Sequence, residues 1–260
     1  MQRLHAQTFH KIMAMKTAIG GERFTMERRT QAYFQKEFGK WLETYRSGFE
    51  TKKRAPKKKR RQELATILEG VVIPAYNWSA VQALESLGFA ARVVKQKAPL
   101  DFLLVNDLIL EAIGAHCDEM AAEIDDTTMV NAARRFESTL AEGGTINEGR
   151  EAIRDYLGDS GEGWRSFLIA NTEFQVGVGT ARWHVFEKSG VERKAWITAG
   201  DDRVRPTHTE NEAAGYLAMD QSFSNGAMYP GDGTDDYNCR CILEADLTNP
   251  DLLLTPWDGS

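Results

Sequence analysis

Apolar residues recur at spacings of three and four through most of the chain before residue 190. This period predicts amphipathic helices. The clearest stripe consists of Phe34, Phe38, Trp41, Leu42, Tyr45 and Phe49. Further helices are predicted over residues 2–18, 62–88, 101–124, 127–141 and 164–188. We expect the aromatic stripe to lie in the core or to bind a partner, because a large apolar face needs cover.

Proline, glycine and capping residues mark the ends of these helices. Pro74 should kink or split its helix, because it lacks an amide donor and crowds the preceding turn. Thr145 and Glu148 have the spacing of a capping box, in which each side chain bonds the amide of the other residue, and they predict a helix start. Ser189-Gly190 predicts the end of the last long helix.

The pattern changes after that point. Residues 191–198 alternate in a way that predicts a strand, and residues 239–243 predict a closing strand. The intervening residues 199–238 are rich in Gly, Asp, Asn and Pro, so we expect mostly turns there. The fold class is therefore predicted as α+β, with a mainly helical N-terminal region and a small turn-rich C-terminal domain.

The same change in pattern divides the chain into three parts. We predict a helical region over 1–160, which contains a basic segment at 51–62, a compact α+β unit over 161–248 and a tail over 249–260. The helical region is the expected site of contact with a protein partner, through its broad apolar faces.

Charge is concentrated in that basic segment. The chain has 260 residues and a net charge of −6. Eight basic residues follow one another without an intervening acid: Lys52, Lys53, Arg54, Lys57, Lys58, Lys59, Arg60 and Arg61. This asymmetry suggests contact with a polyanion at one place only. Two interpretations remain open, a solvated linker and a weak, sequence-independent contact with nucleic-acid phosphates. No aromatic residue is interleaved for base stacking.

Cysteine content and hydropathy indicate where the protein is made. Three cysteines in 260 residues do not form a disulfide framework, so a reducing compartment fits best. The N-terminus lacks the apolar core of a signal peptide. No apolar run approaches the ~18 residues that a membrane helix needs. We therefore expect synthesis in the cytoplasm and no membrane contact.

The candidate chemistry lies between residues 196 and 241. Its members are Asp201, Arg203, Arg205, His208, Asp232, Cys239 and Cys241. A structural zinc ion could use His208, Cys239 and Cys241 with a carboxylate, although Cys-x2-Cys is the more usual spacing. The alternative is that the two thiols point to opposite faces of a strand. In that case at most one of them would lie beside His208.

Three other interpretations of these residues stay open. Nucleophilic catalysis by a cysteine and His208 lacks any mark of an activated thiol. A nuclease-like site could use Arg205, His208 and Asn211. The structural interpretation is the one that we prefer. Arginines such as Arg203 and Arg205 would bond carboxylates such as Asp201 and Asp232, because a small loop-rich domain needs internal ties.

The order of these motifs resembles that of a known family. It is similar to the C-terminal domain of the minor head proteins of tailed bacteriophages, the phage Mu F-like head-morphogenesis family. The matching residues are Thr172-Glu173, Trp196-Ile197-Thr198, Asp201 to His208, Gly215, Phe223, Tyr229 to Asp232 and Asn238 to Cys241. Asn171 stands where the family usually has arginine, and the segment between Asp232 and Asn238 is short.

The resemblance implies a structural protein without enzyme activity. It would be a low-copy component of the virion, in the capsid interior or at the portal vertex, made in the host cytoplasm during assembly. Its partners would be the portal protein and other head components, and it would act in head morphogenesis and DNA packaging or ejection. The alternatives are a metal-dependent nuclease or hydrolase that uses His208 and Asp201, and a DNA-binding accessory protein that uses residues 52–61.

Overall fold

A computed structural model describes residues 23–44, 47, 55–87, 107–233 and 235–248. Six helices and a small antiparallel sheet account for the regular structure of these residues, which confirms the α+β class and the mainly helical N-terminal region. The helices are α1 over 23–44, α2 Lys57–Ser86, α3 Asp107–Ala141, α4 Ile146–Glu162, α5 Trp164–Lys188 and α6 Pro206–Ala213. The predicted helix over 2–18 and the tail lie outside the described residues.

The sheet has three strands, which are β1 Arg193–Ile197, β2 Leu217–Ala218 and β3 Ile242–Ala245. β1 lies in the middle and pairs antiparallel with both neighbours. Trp196 pairs with Leu243 in this register, and both side chains are fully buried. The guanidinium of Arg182 in α5 donates to the carbonyl oxygen of Leu243 at 2.7 Å, so the sheet is bonded to the long helix.

Helices α2 and α5 form the centre of the core. The hydroxyl of Ser79 donates to the carbonyl oxygen of Val178 at 2.9 Å across the interface. A Cβ added at Gly177 would lie 2.6 Å from the carbonyl oxygen of Val72, so this position requires glycine for the two backbones to come this close. The sequence predicts a kink or a split at Pro74. The split is wrong, since α2 continues through Pro74 and packs against α5, which compensates for the lost hydrogen bond. The kink stays a prediction.

Helix α1 packs its aromatic stripe onto these two helices. Phe34 and Phe38 are fully buried and stack with ring centroids 5.0 Å apart. The indole N–H of Trp41 donates to the carbonyl oxygen of Arg60 at 2.9 Å. The described members of the stripe are therefore part of the core of this chain. They are Phe34, Phe38, Trp41 and Leu42. The premise that these faces lack cover within the chain is wrong. Contact of the N-terminal helices with a protein partner stays a prediction.

Helix boundaries follow local signals in most places. The capping box is confirmed: the Glu148 amide donates to the Thr145 hydroxyl at 3.3 Å, and the Thr145 amide donates to the Glu148 carboxylate at 2.6 Å. Gly190 ends α5 with a φ of 70°. The two helices predicted over 101–124 and 127–141 are one helix, α3, because neither glycine nor proline interrupts the sequence between them.

One expectation about hydropathy needs correction. Helix α2 contains an 18-residue window with a mean hydropathy of 1.2, so it is long and apolar enough to cross a membrane by length and composition. Half of that window is buried within the chain. It is the one helix of this kind among the residues that the structure describes.

We predict that Phe38→Ala lowers the free energy of unfolding by about 3–5 kcal/mol, because truncating a buried aromatic leaves a cavity. Phe24→Ala on the same helix is the matched control, since that ring is 53% exposed and its described contact is the Arg28 guanidinium 4.5 Å above it. Its expected cost is at most about 1 kcal/mol. Urea denaturation measures both, and equal costs would contradict the packing of α1.

Candidate functional site

The centre of the candidate site is a buried histidine that faces two thiols. His208 Nδ1 lies 3.7 Å from Cys239 Sγ and 3.4 Å from Cys241 Sγ. The expectation that at most one cysteine could lie beside His208 is wrong. Both residues precede β3, which begins at Ile242, and Asn238 with a φ of 54° turns the chain just before them. Side-chain alternation along a strand therefore does not apply to the pair.

Two elements hold the imidazole in place. Helix α6, which the sequence analysis did not predict, carries His208 in its first turn and begins at Pro206. Proline at the first helical position was the available signal for this helix. Trp196 of β1 packs the edge of its ring against the imidazole, with centroids 4.9 Å apart, and against Phe223 at 5.2 Å.

The opposite side of the imidazole faces two carboxylates. His208 Nε2 lies 3.6 Å from Asp236 Oδ1 and 3.8 Å from Asp235 Oδ2. The other oxygen of Asp236 accepts from the amides of Gly231 at 3.0 Å and Gly233 at 2.7 Å. Sequence reasoning missed these carboxylates. Their signal was a pair of adjacent aspartates three residues before the Cys-Arg-Cys motif.

The pKa values of His208, Cys239 and Cys241 are shifted by burial and by the charges and hydrogen bonds of the groups around them. Burial lowers the pKa of His208, but the bond to Cys241 and the charges of Cys241, Asp236 and Asp235 raise it by more. The hydrogen bond between the thiols and the proximity of His208 lower the pKa of Cys241. The pKa of Cys239 is raised by the same bond and by burial.

The arginines and acids of the motif form ion pairs around this centre. Arg240 holds both oxygens of Asp201 at 2.7 Å, and Arg203 lies 3.3 Å from the same carboxylate. Arg240 keeps the pKa of Asp201 well below its usual range. Arg205 pairs with Asp235 at 3.2 Å, so its expected bond to Asp201 or Asp232 is wrong.

Thr172 of α5 and its neighbour Asn171 form hydrogen bonds to the loop that carries the two cysteines. The amide of Asn238 donates to the hydroxyl of Thr172 at 3.1 Å, and Asn171 donates to the Asn238 side chain at 2.8 Å. Asn171 thus binds the loop through its side-chain amide. Glu173 points the other way and contacts His116 Nε2 of α3 at 2.7 Å.

The Tyr-Pro-Gly-Asp turn rests on the same helix. The side-chain amide of Gln175 donates to the carbonyl oxygens of Pro230 and Cys241, each at 3.1 Å. A Cβ at Gly231 would lie 2.8 Å from the Gln175 carbonyl oxygen, and one at Gly179 would collide with Pro230. Asp232 closes the turn by accepting from the amide of Met228 at 2.8 Å. Sequence reasoning missed Gln175, whose polar side chain lies on the buried face of α5.

The basic segment makes bonds within the chain. Arg60 Nε and one terminal nitrogen each lie 3.2 Å from the buried carboxylate of Asp125 in α3. Arg61 and Lys57 reach Asp126 at 2.7 and 2.9 Å. The described part of this segment is therefore the first turns of α2 rather than a solvated linker.

The remaining members of the segment are placed differently. Lys59 lies 3.7 Å from Glu63, and both side chains are exposed. Lys58 is exposed as well. Lys52, Lys53 and Arg54 lie outside the described residues. Contact with nucleic acid through any of these residues stays a prediction.

Comparison of the chain with protein-family models, with curated proteins and with solved structures found no match. The resemblance to the phage minor head family therefore rests on the order of the motif residues alone. Three of these residues, His208, Cys239 and Cys241, bring their donor atoms within 4.8 Å of one another and could hold a metal ion.

We predict that Asp125→Ala lowers the free energy of unfolding by about 3–5 kcal/mol, because it leaves the partly buried Arg60 guanidinium without its carboxylate. Asp126→Ala is the matched control on the next residue. Its carboxylate is exposed, so we expect a much smaller loss. Chemical denaturation in dilute salt measures both, and a larger loss for Asp126→Ala would contradict the geometry.

We also predict a pH-dependent role for His116. Its bond to Glu173 raises its pKa from 6.5. The stabilisation that the bond provides is therefore full below 6.5 and is lost as the pH rises through the higher value. The stability difference between the wild type and His116→Gln should shrink as the pH rises.

His184 provides the opposite control. Burial, followed by the charge of Lys188, lowers its pKa from 6.5. Stability that depends on neutral His184 is lost as the pH falls through that lowered value. The difference between the wild type and His184→Gln should therefore change with pH in the opposite direction. Denaturation curves recorded at pH values on both sides of 6.5 test the two variants. The same pH trend for His116→Gln and His184→Gln would contradict the opposite directions of their pKa shifts.

Proposed function

We propose that this chain is a structural minor head protein of a tailed bacteriophage, as the order of its motifs suggests. It would act in head morphogenesis, inside the capsid or at the portal vertex, and would not be an enzyme. The observation that supports this proposal is that the motif residues bond to one another in the folded chain. Residues from positions 171 to 241 meet in one place, where they bond to each other and to the core.

Each segment of the motif has a structural use, which supports this interpretation. Trp196 packs against His208, and His208 faces the cysteines. Thr172 accepts from Asn238, and Asp201 holds Arg240. Selection for a folded module explains all of these contacts. None of them requires a substrate.

The enzymatic alternative has less support from the geometry. His208 is 1% exposed, and Cys239 and Cys241 are 4% and 3% exposed, so the three donors are covered by protein. Asp201, the proposed catalytic partner of His208, has both oxygens bonded to Arg240. A hydrolase needs an accessible position beside its reactive groups.

The partners of this proposal are the portal protein, other head components and DNA. The portal contact would use a surface other than the buried aromatic stripe. The DNA contact would be weak and independent of sequence. It would depend on Lys58, Lys59 and residues 52–54, because the described bonds of Arg60 and Arg61 to α3 compete with phosphate.

We predict that mass spectrometry of purified particles detects this protein at a few copies per portal ring. Deleting its gene should reduce the yield of filled, infectious heads, and expression of the wild-type chain in trans should restore it. The ring of Trp164 is 67% exposed. Complementation with Trp164→Ser measures whether this exposed surface contributes to the yield of infectious heads.

Two results would contradict the proposal. One is the absence of the protein from particles together with an unchanged yield of infectious heads. The other is metal-dependent hydrolysis of DNA by the purified chain that His208→Ala abolishes while the fold is retained, which would favour the enzymatic alternative.

A further inference from the structure

The three donor atoms at the centre of the site have the spacing of metal ligands. A zinc ion bonds thiolate sulfur at about 2.3 Å and imidazole nitrogen at about 2.0–2.1 Å in a tetrahedral arrangement. Two such ligand atoms are then about 3.5 Å apart, by the geometry of that tetrahedron. The distances from His208 Nδ1 to the two sulfur atoms are 3.4 and 3.7 Å. They lie on either side of the expected value.

Hydrogen bonding alone explains this arrangement poorly. One imidazole nitrogen has either a single hydrogen or a single lone pair, so Nδ1 can serve one thiol well. Here both Cys239 and Cys241 face the same nitrogen, and all three side chains are buried. A cation shared by the three donors would be bonded by all of them at once.

The surroundings of the imidazole fit the same interpretation. Histidine ligands usually donate their second ring N–H to a carboxylate, which fixes the tautomer and the orientation of the ring. His208 Nε2 faces Asp236 Oδ1 at 3.6 Å. Both atoms are buried, and neither has a hydrogen bond within the described part of the chain.

The sulfur atoms also have a feature of metal thiolates. The amide of Cys241 donates toward Cys239 Sγ at 3.4 Å, an interaction that stabilises negative charge on sulfur. Two thiolates and an imidazole form a soft donor set, which suits zinc better than calcium or magnesium.

We infer that His208, Cys239 and Cys241 bind one zinc ion, with Asp236 orienting the histidine. The ion would join α6 to the segment before β3, and these residues would supply three of its four tetrahedral ligands. Its role would be to hold together a loop-rich region with little regular structure. This inference does not depend on the proposed phage function, because it concerns the chain alone.

The test begins with the metal content of the full chain, purified without a histidine tag and under reducing conditions. Elemental analysis should find about one zinc ion per chain. The double variant Cys239→Ser/Cys241→Ser should lose it. Cys117→Ala should keep it, since Cys117 is a buried free thiol in α3 and serves as the matched control.

A second measurement covers the case in which the double variant does not fold. Zinc is removed from the wild-type chain with a chelator, and the chain is then titrated with Co²⁺. The expected spectrum has thiolate-to-cobalt charge-transfer bands and the strong visible bands of a tetrahedral ion, and added zinc should abolish both.

Three results would overturn the inference. They are a wild-type chain without zinc that gives no thiolate–cobalt spectrum, zinc retained at full stoichiometry by the double variant, and a Cys239–Cys241 disulfide in the protein purified under reducing conditions. The last would assign the pair to redox chemistry instead of metal binding.

The role of Asp236 has its own test. Asp236→Asn should weaken zinc affinity about 10–100-fold, the usual effect of removing a carboxylate that orients a metal-bound histidine. Asp232→Asn is the control, because its described bond is to the amide of Met228 rather than to the histidine. Competition with a chromogenic chelator measures both affinities. Equal affinities for Asp236→Asn and the wild type would overturn the arrangement proposed around His208.

Discussion

The close approach of helices α2 and α5 is the constraint on which the rest of the structure depends. Gly177 allows it, since any side chain there would meet the backbone of α2 at Val72. One side of α5 thereby belongs to the helical core. Other residues of the same helix form hydrogen bonds to the C-terminal loops and to the sheet. Gln175 holds two loop carbonyls, and Arg182 holds the sheet at Leu243. The C-terminal region is built on a helix that the N-terminal helices bury.

This arrangement gives the turn-rich region its stability by a different route from the helical core. Its apolar contribution is small and centred on Trp196, Phe223 and Leu243. Hydrogen bonds and ion pairs provide the rest of the stability of this region, and buried polar groups stabilise a fold when each has a partner. Several buried polar atoms of this region have no hydrogen-bond partner among the described residues, including Trp196 Nε1, His208 Nε2 and Asp236 Oδ1.

The sequence predicted the helices with strong local signals. The capping box at Thr145 and the Ser189-Gly190 stop were predicted correctly, because each depends on neighbours within one turn. The failures involve tertiary contacts. Pro74 remains inside a helix because α5 covers that helix, and the two cysteines share one side because Asn238 turns the chain before β3 begins. The ion pair between Arg60 and Asp125 joins residues 65 positions apart, and no local pattern predicts it.

The loops around His208 and the helical core should unfold as one cooperative unit, because both are bonded to α5. Native-state hydrogen exchange measures this cooperativity. The Gly231 and Gly233 amides that donate to Asp236 should open with nearly the same free energy as core amides of α2. Gly177→Ala should lower both free energies equally. Loop amides that exchange much faster than the core, and that do not respond to Gly177→Ala, would contradict the account.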